Sequence, residues 1–284
     1  MIVMLLALMI ALQIPAVQTA AVSRVLRGLT GDLNCEIKVG EFALHPFNTL
    51  IVKDVLILDK NAYSSPSHSP QDTIIKGGTI IARFSLKGLL SDDGIQLSRA
   101  EVHDALICLV NEDNEYKSNF ARAFSSGKKK EGGKNPPTVL VKRARLENVE
   151  FRMANATKEN GSDSHYGVDW NNLDLILNAE AKAIKYSDGT FSGKFNHIDF
   201  SEHCGLEIDE LSGNLEYSET LLSLEELFLK DKYSSLKLKE LSFSMDDKSG
   251  WSNFLSEVRM TALFEPSTLS LKTLAYFVPA LEGN

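Results

Sequence analysis

One apolar pattern recurs in the second half of the chain and constrains the fold more than any other feature. Apolar residues alternate with others, and the alternation slips once past a polar pair before it resumes. Three copies carry a glutamate directly before their last leucine: Leu206-x-Ile208-x-x-Leu211, Leu222-x-Leu224-x-x-Leu227 and Leu236-x-Leu238-x-x-Leu241. Looser copies begin at Leu50, Ile95 and Val168. A period of two is typical of β-strands, so the body of the chain is predicted to be all-β.

The slip has a structural consequence. Successive side chains of a strand point to opposite faces of the sheet, so a shift of one residue would send every later side chain to the other face. The polar pair must absorb this shift, either as a β-bulge or as a tight corner between strands. The close spacing of the last three copies favours a meander of consecutive antiparallel strands. A β-sandwich with short alternating strands would give the same pattern.

Composition and charge exclude several classes of protein. The chain has 284 residues, 43% hydrophobic, and a net charge of −8. This composition is that of a folded chain rather than a disordered one. The negative charge argues against nucleic acid as a partner, because such binding relies on basic residues that neutralise phosphates. The three cysteines, Cys35, Cys108 and Cys204, form no C-x-x-C pair and no disulfide-dense scaffold.

The first residues predict the cellular compartment. Residues 1–12 are an unbroken apolar run, which continues less densely to Val17, and no basic residue precedes Arg24. A membrane-spanning helix needs about 20 apolar residues, and a cleaved signal peptide needs a positive start and a small-residue cleavage site. We expect residues 1–19 to be a membrane anchor that lacks its basic flank. A cleaved signal or a buried core helix are the alternatives, and the first two place the remainder outside the cytoplasm.

The remaining segments divide the chain as follows. A short helix is expected at 20–29, within a first β segment at 20–124. Residues 125–137, rich in Gly, Lys and Pro, are predicted to be a flexible loop that precedes a second β segment at 138–264. A helix near 267–277, ended by Pro279, is expected within a closing segment at 265–284, where it could cap the sheet or lie across its apolar face.

Catalytic chemistry is not predicted. The densest group of possible metal ligands, His197, His203 and Cys204, matches no zinc spacing. The sequence contains no nucleophile elbow, phosphate-binding loop or dinucleotide-binding motif. The acidic pairs at 92–93 and 246–247 lie in turn-like sequence. We therefore expect no enzyme activity, no metal and no cofactor.

Several stretches resemble one family of bacterial proteins. They are Gln13 to Gln18 after the apolar run, Val39 to Phe42, Leu50 to Val55, and Pro266 to Pro279, with a similar layout at Phe120 to Phe124 and Leu146 to Phe151. Together they resemble the N-terminal portion of TamB-like proteins, which belong to the translocation and assembly module of Gram-negative bacteria and to the AsmA-like superfamily. The resemblance covers nearly the whole chain in order. It includes no catalytic signature.

The resemblance implies a function. Its members have an inner-membrane anchor and a long periplasmic β-sheet that curls into an apolar trough. The trough is associated with transport of phospholipid acyl chains, and the family with assembly of outer-membrane β-barrels and autotransporters through an Omp85-type partner. Family members are several times longer, so this chain would correspond to an N-terminal part with a clipped anchor.

The combined interpretation is a single-pass inner-membrane protein with an elongated, curled antiparallel sheet in the periplasm. Under the lipid hypothesis, six apolar residues of the repeat would line the track: Leu206, Ile208, Leu222, Leu224, Leu236 and Leu238. Plain core packing is the alternative for each of them, and it would require a second protein layer over them. The rival function is a scaffold that holds outer-membrane proteins by adding their strands to its open edge.

Overall fold

Eleven strands form a single open sheet, which confirms the predicted all-β body. The computed structural model describes residues 34–45, 48–60, 73–84, 95–112, 118–123, 138–156, 167–247, 254–278 and 281. The strands are β1 (Cys35–His45), β2 (Thr49–Asp59), β3 (Thr73–Phe84), β4 (Ile95–Asn111), β5 (Val139–Asn155), β6 (Asn172–Ser187), β7 (Thr190–Glu202), β8 (Glu207–Tyr217), β9 (Leu221–Asp231), β10 (Ser235–Ser244) and β11 (Arg259–Phe264). Their order in the sheet is their order in the chain, with β1 and β11 at the two edges.

The strand directions correct one prediction. Nine of the neighbouring pairs are antiparallel, as expected for a meander, but β4 and β5 run parallel. Residues 112–138 connect these two strands, and helix α1 (Asn119–Ala123) lies within that connection. A parallel pair requires a crossover long enough to return the chain to the opposite end of the sheet, which a tight hairpin cannot do. The expectation of an antiparallel sheet throughout is therefore wrong at this pair.

Most of the slips in the apolar repeat are bulges within continuous strands. The register shifts between Ile208 and Glu210 in β8, and between Leu238 and Glu240 in β10. In β9 the slip falls at Glu226, whose φ is 50°, opposite Gly213 of β8. The copy that begins at Val168 differs, because Trp170 and Asn171 form a turn before β6. Each bulge returns the following apolar residues to the face that the preceding ones occupy.

Two further helices follow β10. Helix α2 (Phe254–Glu257) precedes β11, and helix α3 (Leu271–Phe277) follows it. The predicted helix near 267–277 therefore exists but begins later, because Ser270 is its N-cap and its hydroxyl accepts a hydrogen bond from the Lys272 N–H. Ser267 and Thr268 instead bond to β10, at Lys237 and Ser235 respectively. These contacts hold the segment before α3 extended along the end of that strand.

The buried residues concentrate at one end of the sheet, where β2, β7 and β9 finish. We call it the helical end, because α1 and α3 both pack there, and we call the opposite end the open end. A cluster at the helical end includes Cys35, Ile57 and Ile74, with Ala123 of α1 packed against it. Helix α3 buries Thr273 and Ala275. Among the described residues the strands form one layer, so short helices enclose the core.

Several sequence predictions lie outside the described residues. They are the membrane anchor at 1–19, the helix at 20–29 and the loop at 125–137, although β4 and β5 on either side of that loop belong to one sheet. None of the helices in the described ranges is both long and apolar enough to cross a membrane.

Candidate functional site: the apolar face of the sheet

One face of the sheet is apolar from edge to edge, and we call it the apolar face. Its central row consists of residues that pair directly across neighbouring strands from β1 to β10. The row is Phe42, Val52, Ile80, Val102, Leu146, Ala179, Ile198, Leu211, Leu229 and Leu236. The strands have bulges, yet the apolar residues stay in line because the kinks occur at similar heights in neighbouring strands. A continuous apolar surface therefore crosses ten strands.

A second row lies nearer the open end and is rich in aromatic side chains. It runs through Val139, Tyr186, Phe191, Tyr217, Leu222, Phe243 and Met260. Tyr186 and Tyr217 are exposed, and Met260 of the edge strand is 64% exposed. Phe264, on the same strand and face, is 66% exposed. Large apolar side chains at this exposure mark a surface that is suited to contact with another apolar molecule.

All six predicted track residues lie on the apolar face, but their surroundings differ. Leu206 and Ile208 are each 2% exposed, and Leu238 is 4% exposed. Leu222, Leu224 and Leu236 are half-buried. Ile208 pairs with Asp231, which contacts α3, so the first two residues belong to the enclosed core at the helical end. The accessible candidates are thus Leu222, Leu224 and Leu236.

Helix α1 covers the apolar face over β1 to β3. Ala123 belongs to the same buried cluster as Val55 and Ile57, and Phe120 packs against that cluster. Its Arg122 is buried and forms ion pairs with Asp59, the last residue of β2, and with Glu112, just beyond β4. Burial alone would lower the pKa of Arg122, but hydrogen bonds to Asp59 and Glu112 raise it above its usual value. The guanidinium is therefore held charged between two carboxylates whose side chains are fully buried.

Helix α3 lies on the same face at the end of β9 and at the turns that follow β7 and β9. The Thr273 hydroxyl donates to the buried carboxylate of Asp231, and a hydrogen bond of 2.7 Å joins the hydroxyls of Ser234 and Thr273. Asp231 also accepts from the backbone N–H groups of Tyr233 and Ser234. The Tyr276 hydroxyl donates to the Gly205 carbonyl at 2.9 Å. These polar contacts fix the helix against the turns at the helical end.

Away from these two helices, the apolar face has no second layer in the part of the chain that the structure describes. The described elements outside the sheet are three short helices, and the strands form one sheet. A sandwich, in which a second sheet would cover these side chains, is therefore not the architecture of the described residues.

The opposite face is polar, and we call it the polar face. It carries ion pairs between neighbouring strands, such as Lys53 with Glu41 at 3.0 Å and Arg152 with Asp174 at 3.5 Å. A hydrogen-bonded ladder crosses the kinked middle of the sheet. Asn148 donates to Asp104 at 2.7 Å, its backbone N–H donates to Asn178 at 2.8 Å, and Asn178 donates to Asp199 at 2.8 Å. Asp104 and Asn148 have positive φ, so this ladder stabilises backbone that other residue types rarely adopt.

The histidines and the cysteine near residue 200 do not converge on a metal site. His197 lies 3.1 Å from Asp199, whereas His203 contacts Glu202 at 2.6 Å. Burial, and then the hydrogen bond and charge of Glu202, raise the pKa of the Cys204 thiol to about 11. Within the described ranges, no group of three His, Cys, Asp or Glu side chains could hold a metal ion. The thiol stays protonated near neutral pH and is a poor ligand or nucleophile.

A depression of about 500 Å³ on the polar face does not have the features of a catalytic site either. Its polar lining includes Lys76, Arg152 and Asp174, and Cys108 also lines it. Burial raises the pKa of Cys108, so its thiol is also protonated near neutral pH. Arg152 is paired with Glu150 and Asp174. The charges compensate each other, and no activated nucleophile is present among these residues.

The arrangement as a whole can bind apolar groups along an extended face. The repeat that builds this face and the helix that became α3 were both predicted from the sequence, whereas α1 was not. The sequence signal for α1 was weak, since its five residues contain an arginine that is buried only because it forms ion pairs with Asp59 and Glu112.

No protein-family model matches the chain, and no curated protein is significantly similar to it.

Proposed function

We propose that the apolar face binds the acyl chains of phospholipids and carries them between membranes. The observation that supports this is the unbroken apolar row from β1 to β10, which has no covering layer among the described residues away from α1 and α3. No enzymatic step is required, because transfer along a surface breaks no bond.

The dimensions and energetics of the face favour extended apolar chains. Eleven strands at about 4.8 Å spacing give a face about 50 Å across. Burial of apolar surface contributes about 25 cal/mol per Å², so an acyl chain that lies along the face is stabilised at every point. Because the central row has an apolar residue on every strand from β1 to β10, a chain bound along it contacts apolar side chains as it moves from strand to strand.

The cellular setting is part of the same proposal. Residues 1–19 would anchor the chain in the inner membrane with a single span, and the sheet would lie in the periplasm, where the described residues would form part of a longer curled trough. This is the setting that the resemblance to TamB-like proteins implies, with an Omp85-type outer-membrane protein as partner. A periplasmic position fits a face that needs access to lipid.

Site-specific photo-crosslinking in cells with radiolabelled phospholipids tests the proposal. The probe residue replaces Leu222 or Leu224 in one set and Ser223, between them, in the matched control. Leu222 and Leu224 lie on the apolar face, and Ser223 lies on the polar face of the same strand. Leu238 is unsuitable as a probe site because it is 4% exposed.

The expected result is labelled lipid at the two leucine positions and little at Ser223. Equal labelling at all three positions would show that lipid contact is non-specific and would contradict the proposal. Protein adducts without lipid at the leucine positions would also contradict it.

The second candidate function is a scaffold for outer-membrane β-barrel proteins and autotransporters. The edge strand β11 favours it, because β11 pairs with β10 alone among the described strands and exposes Met260 and Phe264. An unprotected apolar edge can accept an added strand through backbone hydrogen bonds. Probes at Thr261 and Leu263 would then capture protein clients, whereas the lipid proposal predicts no client there.

A further inference from the structure

A row of five cations crosses the polar face of five adjacent strands. Arg83 of β3 pairs with Arg99 of β4, and Arg143, Lys182 and Lys194 pair in succession across β5, β6 and β7. Arg99 and Arg143 take equivalent positions in the parallel pair β4–β5, one residue before the paired Ala100 and Ala144. All five are exposed. At a strand spacing of about 4.8 Å, the row is about 19 Å long.

This row is unfavourable for the folded protein. Like charges directly opposite each other on neighbouring strands destabilise a sheet. Among the described residues, Arg99 is the member of the row that forms an ion pair, and its partner is Glu101. A chain of net charge −8 has more than enough carboxylates to neutralise such a row. The clustering of cations therefore favours binding of an external anion.

The same row changes sign further along the sheet. Lys194 pairs with Asn214 of β8, Asn214 with Glu225 of β9, and Glu225 with Glu240 of β10. The row is thus basic over β3 to β7 and acidic at β9 and β10. An anionic surface would attract the basic part of the row and repel its acidic end, so the charge pattern of the row also predicts an orientation.

We propose that the basic row, Arg83, Arg99, Arg143, Lys182 and Lys194, docks the polar face of the sheet onto the phosphate headgroups of an anionic phospholipid membrane. An array of exposed cations about 19 Å long faces many phosphates at once, as the headgroups of a membrane present them. A single phosphate ion would instead need donors that converge in an enclosed site. A linear polyanion such as nucleic acid is the alternative occupant, and binding of an oligonucleotide in the test below distinguishes it.

This inference does not rest on the proposed acyl-chain function, because the two faces are different. If the basic row fails its test, the apolar face is unaffected, and the converse also holds. If both hold, the polar face would lie against headgroups while the apolar face stays accessible to lipid tails.

Vesicle flotation of the full chain tests the proposal. Affinities are measured for vesicles of phosphatidylcholine alone and of phosphatidylcholine mixed with phosphatidylglycerol. The ratio of the two affinities isolates the effect of headgroup charge, because the apolar N-terminal run and the apolar face contact both kinds of vesicle. The variant is Arg143→Gln, Lys182→Gln and Lys194→Gln together. The matched control, Lys230→Gln, Lys237→Gln and Lys239→Gln, removes the same charge from exposed residues of β9 and β10.

We expect the wild-type chain to prefer the anionic vesicles, and this preference to fall as salt rises. Each basic residue near such a surface contributes about fivefold to binding, so the row variant should lose about 100-fold of the preference. The control should retain most of it. A second variant, Arg83→Gln with Lys182→Gln, should lose about 25-fold. Thermal unfolding should show the row variants at least as stable as wild type, because repulsions are removed.

Several results would overturn the proposal. They are the absence of a preference in the wild-type chain, an equal loss in the control, or an unchanged preference in the row variant. Displacement by inorganic phosphate at a matched phosphate concentration would indicate a site for a single ion instead. Tighter binding of a single-stranded oligonucleotide than of anionic vesicles at the same salt would indicate a linear polyanion.

Discussion

The two ends of the sheet use the same apolar face in different ways. At the helical end, α1 and α3 lie over that face and enclose a core, and strands finish on buried acids such as Asp59, Glu202 and Asp231. At the open end, the face carries Tyr186, Tyr217 and Met260, all of which are exposed. The difference shows that apolar residues in one repeat can serve stability at one end and remain available for binding at the other.

The largest expected effect concerns the ion pairs that hold α1 at the helical end. Arg122→Ala would leave Asp59 and Glu112 buried without their cation and should lower the free energy of unfolding by about 3–5 kcal/mol. Urea denaturation measures this. Arg152→Ala, at an exposed ion pair on the polar face, is the matched control and should cost about 1 kcal/mol or less. Equal losses would mean that α1 does not enclose a core.

The next prediction compares covered and uncovered members of the repeat. Ile208→Ala should lower the free energy of unfolding by about 3 kcal/mol, because the cavity lies in the enclosed core near α3. Leu222→Ala, at a half-buried position nearer the open end, should cost about 1 kcal/mol. Thermal or urea unfolding of both variants measures the two losses in unfolding free energy. A larger loss at Leu222 would show that the uncovered face is packed core.

The kinked middle of the sheet, between the two ends, is tested by Gly78→Ala. Gly78 has a φ of 76°, and an added Cβ would lie 2.3 Å from the His103 carbonyl oxygen. A cost of about 2–3 kcal/mol in unfolding free energy is expected. Gly189→Ala is the control, because Gly189 has a φ of 77° but nothing within 4 Å of the added Cβ. The control should cost about 1 kcal/mol, and an equal cost would mean that the strands do not approach closely at the kink.

The smallest expected effect is a pH dependence at the helical end. Burial alone would raise the pKa of Glu202, but hydrogen bonds from Cys204 and from the Cys204 and Asp174 backbone, with the charge of His203, lower it below 4.5. A lowered pKa stabilises the fold above the unfolded value, and this contribution disappears as the pH falls through the folded value. Glu202→Gln should therefore cost about 1 kcal/mol at pH 7.

The difference between Glu202→Gln and wild type should shrink as the pH is lowered below about 4. Glu207→Gln, at an exposed position on the next strand, should change the unfolding free energy by about 0.5 kcal/mol or less at pH 7. A Glu202→Gln difference that stays constant down to acid pH would contradict the assignment.

The strands and their common apolar face were predictable because the apolar period is local information. Both the alternation and the slip can be read from the spacing of Leu222, Leu224 and Leu227. The bulge occurs at Glu226, which has a positive φ. The parallel pair β4–β5 was not predictable, because each strand has the same period in either direction. Their parallel direction follows from the long connection between them, which contains α1 in place of a tight hairpin turn.

The buried polar contacts and the basic row were not predictable for a different reason. Arg122 and Asp59 are 63 positions apart and meet only in the folded chain. The basic row requires the register of five strands, and in the sequence Arg83, Arg143 and Lys194 look like ordinary solvent-exposed residues. The coverage of Ile208 likewise depends on α3, whose position depends on Asp231 and Thr273.

The acyl-chain surface is tested most directly by the number of phospholipid molecules that remain bound to the chain when it is purified from cells in mild detergent. Phosphate analysis of extracted lipid would compare wild type with Leu224→Glu and with Ser223→Glu, which places the same charge on the opposite face of β9. Wild type and Ser223→Glu should carry phospholipid, and Leu224→Glu should lose most of it while remaining folded. Equal phospholipid in all three proteins would contradict an acyl-chain surface on the apolar face.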